Sequence, residues 1–226
     1  MSYHWDYLNP KAYNNRVGFY NFKKVFQFLL THSEGIHSKI LDIAGGSGRF
    51  ALPLSAYSND VTVIDINLEA IKLLQSRNQS IKSICGDFIE EELEGNYSLA
   101  TCMEAMGYFS DLQTFFTKIH ALLAKDGMLI FNYTNPDSWR FTLRKLRHWR
   151  TGPTPYNDIA LSDLKLLLKA CQFEIVCMEG MYWLPLPLSS NSILVDFFAW
   201  IEQKFTLYKW HSQSPWLIIA IRKISK

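Results

Sequence analysis

Lys39-Ile40-Leu41-Asp42-Ile43-Ala44-Gly45-Gly46-Ser47-Gly48-Arg49-Phe50 is the stretch whose reading decides the fold of this chain. An apolar run ends in an acid and enters a glycine-rich turn, and apolar residues resume at Phe50, Ala51, Leu52 and Leu54. That is a buried strand, a tight turn and the start of a helix. Glycine suits such a turn because it has no Cβ to hold a ligand away and reaches positive φ without strain. Outward from the turn, strand-like and helix-like stretches alternate, the signature of βαβ units and a parallel sheet. Val61 to Ile64 ends in Asp65, Ile81 to Cys85 runs into Gly86-Asp87-Phe88, and Leu99 to Met103 leads into Glu104. Further strands are expected at Met128 to Tyr133, Phe173 to Cys177 and Trp216 to Ile221.

Turns of this kind bind nucleoside-containing cofactors, and two chemistries compete. Gly46-Ser47-Gly48-Arg49-Phe50-Ala51 fits the dinucleotide pattern G-x-G-x-x-G/A, and Asp65 lies roughly 20 residues on, where that pattern wants an acid. Asp42 argues against it, because a carboxylate at the mouth of the first strand would face the pyrophosphate of NAD. Asp42, Asp65, Asp87 and Glu104 each fall near the C-terminal end of an expected strand, where open α/β sheets bind their ligands. Such an acidic cup suits S-adenosylmethionine, which has no phosphate and carries a sulfonium and an ammonium.

Asp42-Ile43-Ala44-Gly45-Gly46-Ser47-Gly48 resembles the first motif of the class I S-adenosylmethionine-dependent methyltransferases, D-x-G-x-G-x-G, with Ala44 at the first glycine. The resemblance, to small-molecule enzymes of the type 11/type 23 kind, continues through Val61-Thr62-Val63-Ile64-Asp65, Cys85-Gly86-Asp87-Phe88 and Met106-Gly107-Tyr108-Phe109. It extends to Leu122-Leu123-Ala124-Lys125-Asp126-Gly127-Met128-Leu129-Ile130 and covers roughly residues 35 to 180. It implies a Rossmann-like, seven-stranded, mostly parallel sheet with helices on both faces and an antiparallel last strand. It divides the chain into a lid and helix, residues 1–34, and a methyltransferase domain, 35–226, with insertions at about 135–160 and 181–214. It also implies cofactor contacts at Asp42, Ala44, Gly45, Gly46, Gly48, Asp65, Ile66, Asp87, Phe88 and Glu104. Asp65 would take the ribose hydroxyls, Asp87 and Phe88 the adenine. Glu104 would support the ammonium or stand solvated at its strand end.

The acceptor side is less marked. Tyr3, Trp5, Tyr7, Tyr13 and Arg16 make an aromatic leader, either a flap stapled to the core or a lid over the site. Phe19, Phe22, Phe26, Leu29 and Leu30 then recur at helical spacing as one amphipathic helix. His120 reads as an exposed helix residue. From Arg140 to Arg150 five arginines and lysines with no acid interleave with Trp139, Phe141, Leu143, Leu146 and Trp149. This is either a solvated helical face or an electropositive patch for an anionic acceptor or a membrane surface. The apolar 181–214 insertion, broken by Pro185 and Pro187, would cap the core, pair with a second copy in a homodimer, line a pocket for a lipid-like acceptor, or rest on a membrane. Substrate-contact candidates are Tyr13, Arg16, Tyr108, Arg144 and Arg147. Asp137, His148 and Glu104 are candidate bases.

Composition sets the bounds. The chain has 226 residues, 48% hydrophobic and 15% aromatic, enough for one α/β domain with a large core. A net charge of +2 gives no argument for nucleic acid, and the Asn/Asp-Pro-Pro-Tyr type of motif for base amines is missing after the fourth strand. Cys85, Cys102, Cys171 and Cys177 fall inside apolar strands or helices with no C-x-x-C spacing and read as reduced core residues of a cytoplasmic protein, peripheral to a membrane at most. No metal is expected from the sequence, and no apolar run reaches spanning length. The leading expectation is methyl transfer from S-adenosylmethionine to a small-molecule acceptor, lipid-linked, sugar or quinone-like. The alternatives are an NAD-dependent oxidoreductase and a non-catalytic S-adenosylmethionine-binding protein.

Overall fold

The structure is a computed structural model that describes residues 6–33, 39–148 and 159–224, with 144–148 described by backbone alone. Helix α1 (Arg16–His32) leads into β1 (Ile40–Ile43), the single turn α2 (Ala51–Leu54), β2 (Val61–Asp65), α3 (Leu68–Arg77), β3 (Lys82–Cys85) and β4 (Tyr97–Cys102). Then follow α4 (Leu112–Leu122), β5 (Leu123–Thr134), α5 (Trp139–His148), α6 (Leu161–Ala170), β6 (Phe173–Met181), α7 (Leu194–Lys204) and β7 (Trp216–Lys223). The strands form a seven-stranded sheet in the order β3-β2-β1-β4-β5-β7-β6. The first five are parallel, and β7 inserts antiparallel between β5 and β6. The order reverses between β1 and β4, which opens a crevice at their C-terminal ends.

The central strands are buried on both faces, which is why β1 reads as a continuous apolar run broken only by Asp42. One face is covered by α1, α2 and α3, where Val25, Leu29, Leu54 and Leu74 meet Ile40, Val63 and Ile130. The other is covered by α4 and α6, where Phe115, Phe116, Ile119 and Leu164 meet Leu41, Ile43 and Phe131. Fully burying a side chain of this size contributes about 1.5–3 kcal/mol, so α4 is anchored chiefly by its Phe115-Phe116 pair. Asn67 caps α3 by accepting from the Glu69 and Ala70 amides.

Helix α1 differs from the expected stripe. Its buried positions are Val17, Gly18, Asn21, Val25, Phe28 and Leu29, while Phe19 is 67% exposed. The Asn15 side chain caps the helix on the Gly18 amide, and a Cβ on Gly18 would stand 1.9 Å from the Tyr13 carbonyl. The leader therefore folds tightly back on the helix start, and this sets which face turns inward. Lower down, Lys24 and Tyr20 both reach Glu202 of α7, which is 2% exposed. His120 also departs from expectation: it is half-buried, edge-on to Phe173, with its Nε2 atom buried. Within the apolar insertion, α7 buries Val195 and Glu202 but exposes Leu194, Phe197 and Trp200. No helix among the described residues is long and apolar enough to cross a membrane.

Candidate active site

The glycine-rich turn is wired to the two strands beside it. Ala44 takes a left-handed φ of 54°, and its amide donates to the Ile64 carbonyl of β2. The Gly46 amide donates to Asp65 Oδ2 at 2.8 Å, and the Asn67 amide donates to Asp65 Oδ1 at 2.8 Å. Asp65 is thus fixed between the turn and the α3 cap. Asp42 is 1% exposed and accepts from the Thr101 hydroxyl at 2.6 Å, while its second oxygen is buried without a hydrogen-bond partner. Burial pushes its carboxyl up to about 7, opposed by the Thr101 hydroxyl and assisted by the neighbouring charge of Asp65. A Cβ on Gly45 would lie 2.6 Å from that second oxygen, so glycine is what allows the turn to close over the acid.

A cavity of about 530 Å³ opens here. Asp42, Ala44, Gly45, Gly46, Asp65, Ile66, Asp87, Phe88 and Glu104 line it; Gly48 does not and instead packs toward Leu52 and Leu74. The four carboxylates picked out at strand ends converge on one wall system. Phe88 is held edge-on by Phe109 and tilted against Phe115.

The leader lies over the turn. Asp6 pairs with Arg77 at 2.9 Å, the Tyr7 amide donates to Ser47 Oγ, and Arg77 stacks over the Tyr7 ring. Tyr7 and Tyr13 both line the cavity. Arg49 makes a second latch: it pairs with Glu104 at 2.7 Å, donates to the Gly18 carbonyl, and sits over the Tyr13 ring. Burial and then the Glu104 charge hold the Tyr13 hydroxyl well above the usual phenol range. Glu104 itself has a left-handed φ of 59°, and its amide donates to the Asn132 side chain. For a non-glycine residue that conformation costs about 1–2 kcal/mol, and here a cross-strand contact holds it.

A second, larger cavity of about 970 Å³ adjoins the first. Tyr13, Glu104, Ala105 and Tyr108 line both. Its walls are mainly apolar, with Met106, Leu112, Phe141, Leu143, Ile159, Leu164 and Trp216. Among the described residues, Arg140 and Glu104 are its charged lining residues. Arg140 is turned inward, donating to the Leu184 and Leu186 carbonyls and lying over the Tyr182 ring. This first cation of the basic stretch therefore staples the proline-broken loop to α5, rather than facing solvent as a charge patch requires.

Other candidates fall elsewhere. Asp137 is exposed and outside both cavity walls, and its carboxylate accepts from the Leu161 amide at the start of α6 at 3.5 Å. Arg16 is outside both walls and pairs with Asp196. The side chains of Arg144, Arg147 and His148, and all of Trp5, lie outside the described residues. Sequence reasoning passed over Arg49, Arg77, Asn132 and Tyr182, and took Arg140 only as one cation of the basic stretch. Only Arg49 carried a signal, its place inside the glycine-rich turn.

A parallel sheet whose strand order reverses beside an acid-lined cavity defines the Rossmann-like class that holds nucleoside-containing ligands. A model of the methyltransferase domain matches residues 15–178, well over half of the chain. The chain belongs to this family and is a class I S-adenosylmethionine-dependent methyltransferase. It is 29% identical over 180 residues to a ubiquinone biosynthesis O-methyltransferase of Rickettsia akari, covering 74% of this chain and 72% of the relative. The corresponding Rickettsia felis protein is 23% identical over 205 residues, with 84% of each chain covered. The structure superposes on magnesium protoporphyrin IX methyltransferase from Synechocystis PCC 6803, solved with bound SAH, with a TM-score of 0.65 at 14% identity. That match covers 92% of this chain and 85% of the other.

Proposed function

We propose that the 530 Å³ cavity holds S-adenosylmethionine and the 970 Å³ cavity holds an acceptor with an apolar body and a ring hydroxyl, of the quinol type. The carrying observation is that the two cavities meet at Tyr13, Glu104, Ala105 and Tyr108. The donor set fits the cofactor: the walls carry four carboxylates, Asp42 has a buried oxygen lacking a partner, and Gly45 leaves that oxygen uncovered by any Cβ. When bound, S-adenosylmethionine supplies an electrophilic methyl group on a cationic sulfur. Asp65 would hold the ribose, Asp87 and Phe88 the adenine, and Asp42 and Glu104 the positive end. Within the 1–34 lid-and-helix segment, residues 6–15 act as the lid, with Tyr7 and Tyr13 excluding water, and α1 anchors it to the sheet. The insertions at 135–160 and 181–214 build the acceptor side, contributing Trp139, Arg140 and Ile159 from one and Tyr182, Pro185 and Leu188 from the other.

Alignment does most of the work, since positioning two reactants can contribute roughly 7–11 kcal/mol of a barrier. The acceptor hydroxyl must also lose its proton. Among the described residues Glu104 is the carboxylate that lines both cavities, and its ion pair with Arg49 holds it in place; we assign it as the proton acceptor in preference to Asp137. The names of the Rickettsia relatives support a quinone-type acceptor, as do the apolar walls. The test is transfer of labelled methyl from S-adenosylmethionine to a panel of phenols and catechols with and without an isoprenoid chain, against amines and sugars. Calorimetry with S-adenosylhomocysteine and NAD runs in parallel. Transfer to chain-bearing phenols, lost in Glu104→Gln while S-adenosylhomocysteine still binds at reduced affinity, is the expected result. Binding of the cofactor with transfer only to amines or sugars would overturn the acceptor, and preference for NAD would overturn the cofactor.

A further inference from the structure

His32, Cys177 and Glu179 come together on the flank of the sheet away from the two cavities' walls. Their potential ligand atoms, an imidazole nitrogen, Sγ and a carboxylate oxygen, all lie within 4.8 Å of one another, and all three residues are half-buried. His32 closes the last turn of α1, and the other two stand two residues apart on the edge strand β6.

The strand is shaped to present them. Ile175 pairs with Ile221 of β7, but the next paired residue, Cys177, faces Ala220, so Val176 is an extra residue and β6 carries a bulge. Side-chain parity flips across it. Phe173 packs into the α4 and α6 side of the sheet, whereas Cys177 packs on the α1 side. Without the bulge, Cys177 would share the face of Phe173 and point away from His32. Helix α1 descends antiparallel along the same edge. Lys24 reaches the Gly180 carbonyl at 2.9 Å, and two turns further on His32 arrives beside Cys177. A bulge that re-aims a thiol and a carboxylate toward an imidazole is a ligand arrangement, and bulges recur beside functional sites.

We propose that His32, Cys177 and Glu179 bind one divalent transition-metal ion of the zinc class. The mixed nitrogen, sulfur and oxygen donor set suits zinc or cobalt and not magnesium or calcium, which take oxygen ligands. Tetrahedral zinc ligands at about 2.0–2.3 Å from the ion stand roughly 3.5 Å from one another, so the cluster closes by about 1 Å of side-chain rotation. On binding, the Cys177 thiol gives its proton to solvent and its sulfur forms the metal bond. Three protein ligands leave a fourth position for water. The ion would clip the end of α1 to the edge strand and so brace the helix whose other end carries the Gly18 carbonyl bound by Arg49.

The test titrates the full chain, stripped with a chelator, with cobalt(II) under reducing, anaerobic conditions. One equivalent should bind with a thiolate-to-cobalt charge-transfer band and tetrahedral visible bands, and zinc(II) should displace it. Cys177→Ser should abolish the charge-transfer band, and His32→Ala and Glu179→Gln should each weaken binding tenfold or more. Cys85→Ser, which removes the exposed free thiol, should leave the spectrum unchanged. Far-ultraviolet circular dichroism and S-adenosylhomocysteine binding check that each variant is folded; if Cys177→Ser is not, Glu179→Gln carries the comparison. Zinc should also raise the melting temperature of the natural chain in a concentration-dependent way and not that of the folded ligand variants. A missing charge-transfer band, one retained in Cys177→Ser, or equal zinc shifts in natural and variant proteins would overturn the site.

Discussion

Asp42→Asn isolates the energetic cost of placing an acid beneath the glycine-rich turn. The carboxyl is 1% exposed, and burial is the chief cause that pushes its pKa from the ordinary 3.8 up to about 7. Between those values the native state keeps a proton that the unfolded chain has released, so stability falls as pH rises and then levels above about 7. At about 1.36 kcal/mol per unit, the roughly three-unit shift amounts to about 4 kcal/mol of destabilisation at high pH. Asparagine keeps the shape and the oxygen that Thr101 donates to, and it does not titrate. Urea melts of both proteins without ligand at pH 5, 6, 7 and 8 should show the stability difference, variant minus natural, growing by about 1.4 kcal/mol per unit up to pH 7 and flattening beyond it. Cofactor binding should show the converse. A cationic ligand favours the ionised acid, so affinity in the natural protein should rise with pH toward about 7 and be weaker and flat in the variant. A stability difference independent of pH, or one that shrinks as pH rises, would refute the reasoning, because it would mean Asp42 is solvated or paired.

Asp65→Ala removes the acceptor of two backbone amides and should lower S-adenosylhomocysteine affinity by about 10–100-fold in calorimetry, at about 1.5–3 kcal/mol for charged hydrogen bonds. Arg49→Met strands the partly buried Glu104; urea melts should show a loss of about 2–3 kcal/mol, and turnover should fall more than cofactor affinity. Lys24→Met leaves Glu202 buried without its cation and should cost about 3–5 kcal/mol in the same assay, with much of the loss recovered in the Lys24→Met, Glu202→Leu double variant. Gly45→Ala drives a methyl group to 2.6 Å from Asp42 and should destabilise by about 1–3 kcal/mol; an unchanged melting curve would contradict the closeness of the turn.

Much of the turn and of the acid-lined cavity beside it is legible in the sequence, because it is written locally. The turn, its acids and the strand ends at Asp65 and Asp87 lie in short stretches whose periodicity says where each strand stops. The seven strands and the antiparallel ending followed from the same patterning and from family resemblance. Periodicity also misled, at Phe19, because a helix with apolar residues on more than one side does not say which side the leader will press inward.

What the sequence determined by itself was the order of strands and helices, the glycine-rich turn and the acids at the strand ends. All of these depend on neighbours within a few residues and on the periods of strand and helix. The tertiary structure alone decided that Arg49 pairs with Glu104, that Arg77 holds Asp6, that Arg140 turns inward to loop carbonyls, and that His32 meets Cys177 and Glu179. Each joins residues tens to more than a hundred positions apart. Their meeting depends on strand order, on helix rotation and, at Cys177, on a single extra residue in an edge strand. A side chain's type limits what it can bond; only the path of the backbone brings the partner within about 3 Å.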